Sequence, residues 1–204
     1  TTNDIADMWV HEGFCTYSEV LYVECMYGYE KMLSYVNNQK QNVKNDMPVL
    51  GHYNVNRHGS SDMYYKGSLM LHTLRTLVNN DSLWFEIIYD IANNFKYKTI
   101  DGNEIMNYLK KKTGKELTAF FNQYLKQKEL PVFNYSLEKN GRNTTLIFNW
   151  DAVEDFNMPL LINTGREDFW IYPSEDIKEL DLGFFDNNTF RIRTDLMYIE
   201  VKNL

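Results

Sequence analysis

The stretch FFNQYLKQKELPVFNYSLE, residues 120–138, separates two parts of the chain that differ in hydrophobic periodicity. Before it, apolar residues recur every three or four positions, as between Leu69 and Val78, which is the spacing of one helix face. After Pro131, short runs alternate apolar and polar residues, which is typical of strands that bury one face. The sequence therefore predicts an α+β fold, with a helical part over residues 1–130 and a small antiparallel β-sandwich over residues 131–204.

Capping residues and glycines set the expected limits of the helices. Gly28 and Gly114 follow two of the periodic segments, and Asp81 and Asp101 precede two others. The predicted helices cover residues 7–27, 29–45, 61–78, 82–95, 102–112 and 116–127. The predicted strands cover residues 132–138, 144–150, 159–164, 168–173, 190–194 and 197–203.

Composition narrows the possible functions. The 204 residues are 44% apolar and 15% aromatic, which is enough to build a core, and their formal net charge is −7. No basic stripe is present, so nucleic acids and anionic membrane surfaces are poor partners, and no apolar run is long enough for a membrane segment. Cys15 and Cys25 lie about 15 Å apart along one predicted helix, too far for a disulfide, and we expect free thiols in the core.

Glu12 is a carboxylate within an apolar stretch of the first predicted helix. Helical spacing surrounds it with Met8, Trp9, Cys15 and Thr16. An ionised carboxylate removed from water is costly unless it is paired or binds a metal. Glu12 is thus either directed towards solvent, the usual outcome for a single glutamate, or placed to bind a cation.

The block WVHEGF at residues 9–14, with Tyr17 and Glu19 after it, closely resembles the W-L-N-E-G-F-A-x-Y-x-E block of the zinc aminopeptidases related to aminopeptidase N, the gluzincins. The resemblance implies that Glu12 is the third zinc ligand. In that family the other two ligands are the histidines of an HExxH helix, roughly eighteen residues earlier. Only eleven residues precede Glu12, so neither these histidines nor the general-base glutamate of HExxH occurs in this sequence.

Two further segments extend the resemblance along most of the chain. Residues 64–67, YYKG, match the Tyr-x-Lys-Gly motif of the family and follow Glu12 by fifty-two positions. This match implies that Tyr64 donates a hydrogen bond to the oxyanion of the tetrahedral intermediate. Residues 120–132 resemble the F-F-x-Q-W hinge between the helical lobe and the β-sandwich.

Several neighbouring side chains are candidates for supporting roles. Glu19 and Thr16 lie on the Glu12 face of the helix, where either one can orient a zinc-bound histidine. The alternatives are a salt bridge for Glu19 and a bond within the helix for Thr16. His11 replaces the asparagine of many family members and is expected near the site, either in contact with the substrate or a ligand carboxylate or, more often, only at the rim. The remaining histidines lack the H-x-x-x-H spacing, and we expect no independent zinc site in this chain.

The resemblance implies part of a zinc-dependent aminopeptidase that removes amino-terminal residues from peptides. Its expected partners are the peptide substrate and a missing amino-terminal part of the same protein, with no nucleic acid and no membrane segment. Zinc is expected in the full-length protein, and this chain alone is expected to hold zinc weakly and to be inactive. The alternatives are a non-catalytic interaction scaffold of helices and a β-sandwich, or a related gluzincin hydrolase such as an epoxide hydrolase.

Overall fold

The computed structural model describes residues 1–204 and confirms the α+β class. Residues Thr1–Glu129 form a helical unit, and residues Leu130–Leu204 form a second unit made of strands. The helices are α1 (Trp9–Tyr27), α2 (Tyr29–Asn38), α3 (Tyr65–Val78), α4 (Asp81–Asn94), α5 (Gly102–Thr113) and α6 (Thr118–Lys126). None of these helices has both the length and the apolar character that a membrane crossing requires.

Helix ends follow the sequence signals at most positions. Gly28 ends α1 with φ +87°, and Gly114 ends α5 with φ +65°. Residues with a Cβ atom rarely adopt these backbone conformations. The start of α4 differs from the prediction. Asn80 caps this helix by accepting the Leu83 N–H, whereas the Asp81 carboxylate accepts from Arg75 Nε at 2.9 Å.

The second helix is shorter than predicted. It stops at Asn38 and continues as a 3₁₀ turn over Gln39–Asn42, followed by an extended Val43. Asn45 has φ +49°, outside the helical region, and its N–H donates to the buried carboxylate of Asp62. This long-range hydrogen bond stabilises a non-helical end of the segment, where sequence periodicity alone predicts a helix up to residue 45.

The buried carboxylate of Asp7 fixes the start of α1. It accepts hydrogen bonds from Gly102 N at 2.9 Å and from the Tyr53 hydroxyl at 2.8 Å. Gly102 N lies at the amino terminus of α5, where N–H groups lack partners within the helix and favour an anion. Asp7 thereby connects the amino-terminal end of α1 to that of α5.

Helices α1 and α3 touch through their backbones at Gly13 and Gly67. A Cβ atom on Gly67 would lie 3.0 Å from the Gly13 Cα, and a Cβ atom on Gly13 would lie 3.3 Å from the Met63 carbonyl oxygen. Both distances are tighter than ordinary van der Waals contact. Glycine at both positions therefore allows the close approach of the two helices.

An ion pair joins α1 and α3 further along. The Arg75 guanidinium donates two hydrogen bonds to the Glu24 carboxylate, at 2.5 and 2.9 Å. The Arg75 side chain is only 5% exposed, so the pair is largely removed from solvent. Such bidentate pairs are stronger than single neutral hydrogen bonds and favour one orientation of the two groups.

Cys15 and Cys25 are both free thiols, but the expectation that they lie in the core is wrong. Both side chains are exposed to solvent. The buried side of α1 is instead formed by Trp9, Tyr17 and Val20. Apolar residues occur all around α1, so the sequence did not show which side of this helix faces the core.

The second unit contains two sheets. Its strands are β1 (Val132–Asn140), β2 (Asn143–Asp151), β3 (Leu160–Asn163), β4 (Asp168–Ile171), β5 (Lys178–Asp181), β6 (Arg191–Ile192) and β7 (Glu200–Asn203). The four-stranded sheet has the order β5-β2-β1-β7, and the three-stranded sheet has the order β4-β3-β6. Pairing is antiparallel except between β1 and β7, which run parallel. The unit therefore departs in one strand pair from the purely antiparallel arrangement that we predicted.

The β5 strand has no counterpart among the predicted strands. Its sequence, Lys-Glu-Leu-Asp, contains three charged residues and one apolar residue, and it lies at the edge of the larger sheet. Edge strands often carry charged side chains, which discourage pairing with other chains. Such a strand lacks the alternation of apolar and polar residues from which we predicted the other strands.

We expect Gly67→Ala to lower the free energy of unfolding by about 1–3 kcal/mol, because the added methyl group forces α1 and α3 apart. Chemical denaturation followed by far-UV circular dichroism measures the change. Asn107→Ala, at an exposed position of α5, is the matched control and should leave the midpoint nearly unchanged. Equal midpoints for Gly67→Ala and the wild type would show that the close approach is not a constraint.

Candidate active site

Glu12 lies in the first turn of α1 and its side chain is half-buried. The turn is held in place by Asp7 on one side and by the close contact of Gly13 with α3 on the other. Glu12 is therefore a carboxylate on a rigid element, next to the contact between two helices. Its position in the apolar stretch does not bury it completely.

Tyr64 lies between a 3₁₀ turn, Ser61–Met63, and the first residue of α3. Ser60 caps this turn by accepting the Asp62 N–H. The Tyr64 side chain is 38% exposed, and its hydroxyl group lies close to the Glu12 carboxylate. The structure thus brings together two side chains that are fifty-two positions apart in the sequence.

The negative charge of Glu12 dominates the electrostatics of Tyr64. It raises the pKa of the Tyr64 hydroxyl, because ionisation would place a second negative charge beside the carboxylate. Partial desolvation and the nearby Cys15 side chain act in the same direction. At neutral pH Tyr64 is therefore protonated and able to donate a hydrogen bond.

The donor set of this chain fits one ligand of a zinc site and not a complete site. A carboxylate oxygen is an ordinary zinc ligand, and the Glu12 carboxylate has about four lone-pair positions that can accept hydrogen bonds or bind a metal. No three His, Cys, Asp or Glu side chains of the chain are arranged to hold a metal ion. Within these 204 residues, Glu12 thus fits at most one ligand position of a metal site.

The His11 ring contacts the segment at the start of the chain. Its Nε2 atom accepts a hydrogen bond from the Thr2 N–H at 2.9 Å. Thr2 in turn forms an isolated bridge with Ile100. The His11 ring therefore connects α1 to the segment at the start of the chain, and this hydrogen bond supports an anchoring role for it.

Glu19 and Thr16, the two candidates for a supporting role, have different environments. Glu19 is exposed and accepts a hydrogen bond from the Tyr35 hydroxyl of α2 at 2.8 Å, so its partner is not a basic residue. This hydrogen bond is the main cause of the raised pKa of Tyr35. Thr16 is buried on the inner side of α1. Of the two side chains, Glu19 is the one that remains accessible beside Glu12.

Sequence reasoning missed two residues near the site. Tyr35 carries no motif, and only the packing of α2 against α1 brings it to Glu19. Lys66 belongs to the YYKG motif, but we did not predict that its side chain is buried. A lysine among the apolar residues at the start of α3 was the available signal, because a buried lysine needs partners.

Comparison with known proteins agrees with this arrangement of motifs. The sequence model of the Peptidase family M1 domain matches residues 1–124. The chain belongs to peptidase family M1. The matched region contains both Glu12 and Tyr64, and the resemblance to the aminopeptidase N-like enzymes is thereby confirmed.

The fold of this family M1 chain also resembles a solved aminopeptidase. The crystal structure of Legionella pneumophila aminopeptidase A in complex with aspartic acid matches with a TM-score of 0.71 and 12% sequence identity. The match covers 99% of this chain and 25% of that protein, so the chain spans about a quarter of the length of its structural relative. A search of curated protein sequences gives no match.

We expect Glu12→Gln to lower the pKa of Tyr64 towards the ordinary tyrosine value of about 10, because the substitution removes the main negative charge beside the hydroxyl. NMR titration of the metal-free protein labelled with ¹³C at the tyrosine ring measures this pKa. The spectrum of Tyr64→Phe assigns the signal. An unchanged Tyr64 pKa in Glu12→Gln would contradict the contact between the two side chains.

Proposed function

We propose that the full-length protein is a zinc-dependent aminopeptidase, in which this chain supplies the third zinc ligand, Glu12, and the oxyanion-stabilising tyrosine, Tyr64. The observation that carries the proposal is the proximity of these two side chains, at which the Glu12 carboxylate raises the pKa of the Tyr64 hydroxyl. Each belongs to a separate motif of the resemblance, and a shared site requires them to lie close together. Membership of peptidase family M1 supports the same class of reaction.

Glu12 would hold the metal together with two histidines located outside these 204 residues. Zinc bound there supplies a Lewis acid and an activated water molecule. The half-buried position of Glu12 suits this role, because a carboxylate that remains partly accessible can reach a cation shared with another segment. Without the other ligands, one carboxylate holds zinc weakly, so we expect the 204-residue chain alone to be inactive.

Tyr64 would donate its hydroxyl proton to a hydrogen bond with the oxyanion of the substrate. A tyrosine hydroxyl has an ordinary pKa of about 10, so it is protonated at neutral pH and can act as a donor. A donor placed before the reaction stabilises the charge that develops in the transition state without having to reorganise. With 38% of its surface exposed, the Tyr64 side chain is accessible to a peptide.

The substrate would be the amino-terminal residue of a peptide, as the aminopeptidase resemblance implies. Glu19 lies two helical turns after Glu12 on the same face of α1. Its Oε2 atom already accepts from Tyr35, and this fixes the orientation of the carboxylate. In this proposal Glu19 accepts a hydrogen bond from a zinc-bound histidine and orients it.

We expect Glu12→Gln in the full-length protein to lose bound zinc, because a neutral amide is a weaker ligand than a carboxylate. Tyr64→Phe should keep about one zinc per chain and lose about 10²–10³-fold in kcat, because it removes only the hydrogen-bond donor. Atomic absorption gives the zinc content, and hydrolysis of aminoacyl anilides gives kcat. Tyr65→Phe, which removes the neighbouring hydroxyl, is the matched control and should retain both zinc and kcat.

If neither the wild type nor any variant contains zinc, the result would contradict the proposal of a metallopeptidase and would favour a non-catalytic interaction scaffold. Zinc retained by Glu12→Gln would contradict the role of Glu12. A kcat of Tyr64→Phe equal to that of Tyr65→Phe would contradict the role of Tyr64.

A further inference from the structure

Lys66 is a buried cation in the first turn of α3. Its side chain is 1% exposed. The ammonium group donates hydrogen bonds to the Gln127 carbonyl oxygen at 3.1 Å and to the Lys128 carbonyl oxygen at 2.7 Å. A buried ammonium group is costly without acceptors, and these two carbonyl groups help to stabilise it there.

The acceptors of Lys66 lie at the carboxyl end of α6. Gln127 is the residue at which this helix ends, and Lys128 follows it. The last carbonyl groups of a helix lack N–H partners within the helix and carry partial negative charge, which favours a cation. The next carbonyl, that of Glu129, accepts from Gln123 Nε2 at 2.9 Å. Side chains thus hold three successive carbonyl groups of this segment.

The start of α3 is consequently fixed on two sides. Gly67 contacts the backbone of α1 at Gly13, and the preceding residue, Lys66, is bonded to the end of α6. Tyr64 lies two residues before Lys66, where the 3₁₀ turn meets the helix. A rotation of this first turn would move the Tyr64 hydroxyl away from Glu12.

We infer that Lys66 is a positioning residue, which holds Tyr64 against Glu12 by bonding the first turn of α3 to the carboxyl end of α6. Lys66 does not contact the reacting atoms and acts through Tyr64. The consequence for catalysis rests on the proposed function of Tyr64, whereas the consequence for the conformation of residues 61–67 does not.

The test uses the full-length protein and the variants Lys66→Met, Tyr64→Phe and the double variant. Lys66→Met removes the charge and keeps a long apolar side chain. We expect its kcat to fall by about tenfold to a hundredfold with KM nearly unchanged, because a small displacement of a catalytic group lowers the rate strongly. The double variant should be no slower than Tyr64→Phe, because Lys66 has no effect on kcat once the hydroxyl is absent.

Hydrogen exchange measured by mass spectrometry gives a second readout that does not depend on activity. In Lys66→Met, exchange should accelerate in peptides that contain residues 61–67 and 127–129. Ile105→Val, a substitution at a fully buried position of α5, is the control for a general loss of stability. It should leave kcat and the exchange of residues 61–67 near the wild-type values.

Three results would overturn the inference: an unchanged kcat in Lys66→Met, losses that multiply in the double variant, or unchanged exchange of residues 61–67. A full-length protein that hydrolyses no peptide would overturn the proposed function, while the exchange data would still decide the role of Lys66. If Lys66→Met does not fold, Lys66→Gln, which keeps a neutral N–H donor, replaces it in the same experiments.

Discussion

The backbone contact between Gly13 and Gly67 is the constraint on which the rest of the helical unit depends. This contact sets the distance between α1 and α3. Each of the two glycines lies close in sequence to one of the two proposed site residues. Glu12 precedes Gly13 directly, and Tyr64 precedes Gly67 by one helical turn. Because no side chain separates the helices at this point, the carboxylate of Glu12 and the hydroxyl group of Tyr64 lie close together.

Charged groups fix the helices around this contact. Asp7 joins the start of α1 to α5, Arg75 joins α3 to Glu24 of α1, and Lys66 joins α3 to the end of α6. All three have direct hydrogen-bond partners, which offset the cost of removing them from water. Such groups tolerate little displacement, because any shift leaves a buried charge without its partner. Such a rigid arrangement of helices suits a site that must keep a metal ligand and a hydrogen-bond donor at a fixed distance from each other.

Local patterns predicted much of this molecule, and long-range pairing accounts for what they missed. The change of periodicity at Pro131 and the Gly28 and Gly114 stops depend on neighbouring residues only, and the structure follows them. The parallel pairing of β1 with β7 and the acceptors of Lys66, 61 and 62 residues further on, depend on contacts that no local pattern contains. The two site motifs are also local, but their meeting follows from how α1 and α3 pack.

Anomalous diffraction on the two sides of the zinc absorption edge, with crystals of the full-length protein, would test the proposed role of Glu12 most directly. We expect a peak about 2.0–2.2 Å from a Glu12 carboxylate oxygen, with the Tyr64 hydroxyl on the same side of the metal. A zinc ion held without Glu12, or crystals that bind no zinc when it is supplied, would contradict this role.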